Sequence, residues 1–149
     1  MRRRTLMTAA LAALALPAPA RAQAAFTLAP IEPANALEHA FLAALDNAAL
    51  RPAFRRQLLD SQVALALAND AADSPPRLLN LAGGRAAAGI FTSAARLSGV
   101  LGPAAARAML PGRQALERLR GRHVVINYRL LPMLTLEAED VALYLETPA

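Results

Sequence analysis

Thr92 and Ser93 stand between a run of strand-forming residues and a helical stretch, the one place in this sequence where a hydroxyl has the context of a nucleophile. Hydrolase elbows occupy such junctions, with a glycine two residues to either side so that the turn can be sharp. The corresponding positions here are Phe91 and Ala95, so Thr92 and Ser93 read as helix N-caps, whose side-chain oxygens accept from the first free amides. A base for either hydroxyl would have to be His39 or His123, and nothing in their spacing selects them. Metal chemistry finds no better pattern: cysteine is absent and the two histidines are not spaced as ligands. Asp70 and Asp73 share a turn, but calcium takes six or more oxygens and no third carboxylate is near in the sequence. Gly83 and Gly84 lack the lysine and following helix of a phosphate loop, and read as the tight turn of a hairpin. No catalytic residue, metal or cofactor is therefore expected.

Charge directs attention to one other segment. Arg113, Arg118, Arg120 and Arg122, close to Arg129, form the densest positive region, and arginine forks bind carboxylate and phosphate bidentately. An acidic protein partner is one reading, and a small ligand in a pocket near Arg113 to Arg129 is the alternative. Glu117 interrupts the patch and stacking aromatics are missing from it, so nucleic acid is not an expected partner.

The elements that must position these residues begin after an export address. Arg2, Arg3 and Arg4 precede an uncharged run from Thr5 to Leu16 and then a small-residue stretch around Ala18, Ala20 and Ala22, the three regions of a secretory signal peptide over residues 1–22. The apolar run, about 12 residues, is shorter than the roughly 20 needed to span a bilayer. Arg3 and Arg4 followed by Thr5, Leu6 and Met7 resemble the twin-arginine pattern, although clustered arginines also serve ordinary Sec signals. The expectation is a periplasmic or secreted protein, cleaved near Ala22, with no membrane span left. All 16 basic residues are arginine, and four of them lie in this segment, so the remainder carries a net charge of about +1 and the high isoelectric point belongs largely to the address.

Residues 23–32 read as an extended leader and 33–149 as a single domain, of a size that closes one core unaided. Asn35 and Glu38 have capping-box spacing, and Leu37, Phe41, Ala44, Leu45 and Ala48 recur as the buried stripe of a first helix. A second helix opens at Pro52, buries Phe54 and Leu58, and turns Arg55 and Arg56 to water. Val63, Leu65 and Leu67 alternate with alanine as a strand, although alanine itself prefers helices. Leu78–Leu81 and Ala86–Phe91 flank the glycine pair as a hairpin. A short helix through Ala95 and Leu97, a strand over Ala105–Leu110, a helix carrying Leu116 and Leu119, and the buried strand Val124–Ile126 follow. Thr135 is expected to cap the last helix, with Val141 and Leu145 in its buried stripe. The class is α+β, a small mixed sheet of about four to five strands covered by helices.

Several segments in this order resemble the N-terminal domain of SseB-like proteins, the family named for enhanced serine sensitivity. They are Pro33–Glu38, Leu50–Arg55, Leu58–Ser61, Ile90–Ser93 with Arg96 and Leu97, Val124–Asn127, and Leu134–Val141. Two features depart from the family: Tyr128 and Arg129 replace a usual proline and glycine after Asn127, and an export signal precedes the domain. The family name records a phenotype rather than a reaction, so the resemblance implies a fold and little chemistry; the missing catalytic constellation, metal ligands and cofactor loop make a non-catalytic binding or adaptor module the expectation. Beyond core positions the resemblance concentrates at Phe91, Thr92, Ser93 and Asn127. With Arg118 and Arg122 these make the expected interaction surface.

Overall fold

The computed structural model describes residues 29–148; the expected signal peptide at 1–22 and most of the expected leader lie outside the described residues. Helix α1 spans Ala36–Asp46 and α2 Arg51–Asp60, joined by a single 3₁₀ turn. Strands β1 (Gln62–Ala66), β2 (Leu78–Asn80) and β3 (Ala86–Phe91) follow, then α3 (Ala94–Leu101), β4 (Arg107–Pro111) and α4 (Gly112–Arg118). The chain closes with β5 (Val124–Ile126), β6 (Leu134–Leu136) and α5 (Ala138–Leu145).

The class is α+β, with one mixed six-stranded sheet in the order β4-β1-β3-β5-β6 and β2 also paired to β3. β5 runs parallel to β3 along one edge. β1 and β2 share the other, β1 pairing near Phe91 and β2 near Ala86. Between β1 and β2 the chain makes a closed excursion, pinned by the Leu67 and Pro76 bridge and by the Ala68 amide donating to the Pro75 carbonyl at 2.9 Å. The expected hairpin turn is present, with Gly83 and Gly84 at φ 80° and 76°, a region glycine enters without steric cost.

Four helices cover one face of the sheet. Phe41, Phe54, Leu58, Leu116 and Val141 pack there against Val63, Leu65, Ile90 and Ile126. The opposite face is covered by α3 through Leu97, which meets Ala64, Ala66, Phe91 and Val125. β1 is thus the expected strand and is buried on both faces: small alanine side chains let α3 lie close, so they are core as well.

Several local expectations change. The sixth strand is Leu134–Leu136, so Thr135 lies in a strand and caps nothing. Helix α5 instead begins with Glu137 and Asp140, each side chain accepting from the other's backbone end in a reciprocal box. Leu45 is 48 % exposed and Ala48 lies beyond the end of α1, because the helix stops at Asp46 before the stripe completes another turn. Arg55 is half-buried, its guanidinium 4.5 Å from the Tyr144 ring centre, because α5 packs over that side of α2. Gly112 opens α4 where it crosses the end of α2, and a Cβ there would run into the Leu58 carbonyl. No helix among the described residues is long and apolar enough to cross a membrane.

Candidate functional site

The residues singled out at the end of β3 are drawn into a buried ionic junction. Asn35 caps α1, its Oδ1 accepting from the Glu38 amide at 2.9 Å, and its Nδ2 donates to the Thr92 carbonyl at 3.3 Å. Glu38, in the first turn of that helix, is fully buried. Its Oε1 accepts from the Thr92 hydroxyl at 2.7 Å and from Arg96 Nε at 2.9 Å. Its Oε2 accepts from the Ala34 amide at 2.8 Å and from Arg96 Nη2 at 3.0 Å. The carboxylate reaches back to Ala34 rather than to the Asn35 amide of a capping box, because the arginine fork fixes both of its oxygens. Arg96 Nη2 also donates to the Glu32 carbonyl at 2.6 Å, tying the end of the leader to α3.

Asn127 completes the junction from the end of β5. Its backbone stands at φ 56°, a left-handed conformation asparagine tolerates better than most side chains. That turn aims Oδ1 at the Thr92 amide, which donates at 3.0 Å. The Asn127 Nδ2 is buried with no partner.

Burial pushes the Glu38 carboxyl upward, but the Arg96 guanidinium, the Ala34 amide and the Thr92 hydroxyl outweigh it and hold the group down to about 2. A carboxylate so held, with both oxygens accepting two bonds, is ionised at neutral pH and has no proton to give. The Thr92 hydroxyl is committed to it. Ser93 caps α3, accepting from the Arg96 amide at 3.1 Å. Phe91, fully buried against Leu97, is core. The arrangement can hold the α1 and α3 starts, β3 and β5 in one place.

The other sequence candidates do not gather there. Arg113 donates to the Leu145 and Thr147 carbonyls at 3.0 and 2.6 Å, clasping the end of α5. Arg118 approaches the Ser74 carbonyl only at 3.5 Å, Arg122 is exposed, and Arg129 lies 5.1 Å from the Tyr128 ring centre. His123 pairs with Glu137 at 2.7 Å on the surface and His39 is exposed. Asp70 and Asp73 lie exposed in the turn, where the Asn69 and Ser74 side chains accept the local amides.

Two concavities border these elements, and neither takes a residue from 113–129. The smaller, about 340 Å³, lies where the starts of α1 and α3 meet β1 and β4, beside Asn35, Gln62, Ser93 and Met109. The larger, about 450 Å³, opens between α1, α2, β6 and α5. Phe41 and Phe54, stacked with ring centres 4.5 Å apart, line it together with Leu45, Leu134 and Leu136. Its polar groups are Arg51, Arg55, Thr135, Asp140 and Tyr144. Burial raises the Tyr144 phenol above its ordinary value, opposed by the charge of Arg55, so the group is a neutral hydroxyl at physiological pH. Sequence reasoning missed this cavity: Arg51 and Arg55 are one turn apart on α2, but β6 and α5 are supplied from about 80 positions or more later.

An α+β domain locked by a buried glutamate and a partly exposed arginine, with an amphipathic cleft between its helix pair and its last strand and helix, is the class these features define. The SseB protein N-terminal domain matches the chain over residues 37–143, and the chain belongs to that family. No curated protein and no solved structure matches it.

Proposed function

We propose that this member of the SseB N-terminal domain family is exported to the periplasm and acts there as a non-catalytic binding or adaptor module. The observation that carries the reading is the state of the hydroxyls and the carboxylate at the end of β3. Glu38 is bonded to the Thr92 hydroxyl and to Arg96 inside the fold, and Ser93 accepts from the Arg96 amide as a helix cap, with no base bonded to it among the described residues. A nucleophile and base would need to be paired with each other and free for a substrate. Export rests on the charged, apolar and small-residue regions of 1–22.

The test is a crosslinked pull-down of the C-terminally tagged full-length protein from the envelope fraction, with the intact mass of the bait recorded alongside. A bait beginning near Gln23 with a stoichiometric protein partner is the expected result. An uncleaved bait overturns export, and a cleaved bait that never carries a partner overturns the adaptor role.

A further inference from the structure

The geometry points to the cavity between α1, α2, β6 and α5 as a binding site for a small monoanionic carboxylate with an apolar body, a ligand class for the binding module proposed above, on which this inference rests. Three observations converge on that chemistry.

The first is unmatched charge. Arg51 and Arg55, four residues apart on α2, both line the cavity, and neither forms an ion pair among the described residues. All 11 acidic residues of the sequence fall between Glu32 and Glu146, so every side-chain carboxylate of the chain is within that description. The Nε of Arg55 is buried without an acceptor. Its guanidinium lies against Tyr144, whose ring offsets part of the charge and whose hydroxyl is neutral, so no anion among the described residues meets this cation.

The second is the acidic group already present. Asp140 lines the same space, yet its Oδ2 accepts from the Glu137 amide at 3.0 Å in the α5 cap. Two guanidinium ions against one such carboxylate leave a single positive charge unmatched, which suits a monoanion, whereas a dianion would crowd Asp140. The third is the apolar lining. The half-exposed Leu45 and the partly exposed Leu134, backed by the buried Phe41 and Phe54 rings, offer contact to a hydrocarbon body, and the volume of about 450 Å³ falls within the range of small-molecule sites. An inorganic anion would leave that surface unused. An uncharged apolar molecule would bury cations with nothing to pair them.

The full-length chain, labelled at alanine and leucine methyls, is titrated with phenylacetate, with phenethylamine and 2-phenylethanol as its cationic and neutral counterparts. Phenylacetate is expected to move the methyl signals of Ala44, Leu45 and Leu134, and the two counterparts to leave them in place. Arg51 is exposed, so Arg51→Gln should keep the remaining spectrum while weakening phenylacetate by about tenfold or more, the loss of one charge-assisted hydrogen bond. Leu45→Glu, which sets a carboxylate at the same opening, should weaken it comparably. The inference is overturned if millimolar phenylacetate moves no signal, moves signals only elsewhere, or is matched by 2-phenylethanol. Undiminished binding by Arg51→Gln overturns it as well. Conversion of phenylacetate to a product in the same tube would sink the non-catalytic reading and leave the site standing; silence there sinks the site and leaves the adaptor reading to the pull-down.

Discussion

Replacing Glu38 by glutamine keeps the shape of the buried side chain and removes its charge, isolating what ionisation contributes to the junction. The carboxyl is held at about 2 in the folded chain against 4.5 for its ordinary value. At roughly 1.4 kcal/mol per unit, that difference stabilises the fold by about 3 kcal/mol at neutral pH, a large part of the ~5–15 kcal/mol typical of a domain. The sign follows from the direction of the shift. A group held below its unfolded value contributes fully above that value, and the contribution is lost as the pH falls through the folded value. Wild type should therefore exceed Glu38→Gln by about 3 kcal/mol near pH 7, and by only about half as much near pH 3. Urea denaturation followed by far-UV circular dichroism at both pH values reads this directly. The other carboxylates titrate alike in the two proteins and cancel in the difference. Because Glu38 is buried, raising the salt should leave the gap nearly intact. A gap that does not change with pH, or one under about 1 kcal/mol at neutral pH, would refute the reasoning.

Three further substitutions follow from packing and backbone. Gly112→Ala should destabilise by about 3 kcal/mol, because the new methyl meets the backbone of Leu58 rather than a side chain that can rotate away; a denaturation midpoint equal to wild type would contradict the close crossing of α2 and α4. Phe91→Ala should cost about 3–5 kcal/mol as a cavity opens between β3 and α3, and unchanged stability with lost partner capture would contradict its place in the core. Arg129→Gly should raise the melting temperature through a gain of about 1 kcal/mol, since Arg129 stands at φ 58° on an exposed turn and glycine takes that conformation without the Cβ penalty. A lower melting temperature would mean that its contact with Tyr128 outweighs the strain.

Much of the scaffold could be read from local patterns because local physics decides it. β3 has the predicted limits Ala86–Phe91, the glycine pair turns the hairpin, and Asn35 and Ser93 cap their helices. The errors have one origin, burial supplied from far along the chain. Alanine in β1 weakens the strand signal, which pairing on both edges and the cover of α3 override. Arg55 looks solvated until Tyr144 arrives, and Thr135 looks like a cap until β5 pairs with its strand. Thr92 and Asn127 were legible as a pair of suspect positions, and they do meet. The ion pair that Thr92 also joins was not: Glu38 carried the signal of a helix start and Arg96 only a place in the family pattern, and neither pointed to the other. The basic stretch from Arg113 to Arg129 is close in sequence, yet its members go to different neighbours, Arg113 to the end of α5 and Arg129 to Tyr128.

The buried junction also bears on when the fold becomes secure. Glu38 meets Thr92 and Arg96 across 54 and 58 residues of chain, and Thr92 meets Asn127 across another 35. Closing such loops costs entropy that a few polar bonds cannot repay before hydrophobic contacts have brought the strands together. The ion pair therefore acts as a latch that engages after the barrier, rather than as a nucleus that lowers it. In that case Glu38→Gln leaves the refolding arm of a chevron almost where it was and lifts the unfolding arm. Kinetic persistence, the time a folded molecule survives before it opens, is then set at the base of α1 rather than in the centre of the sheet.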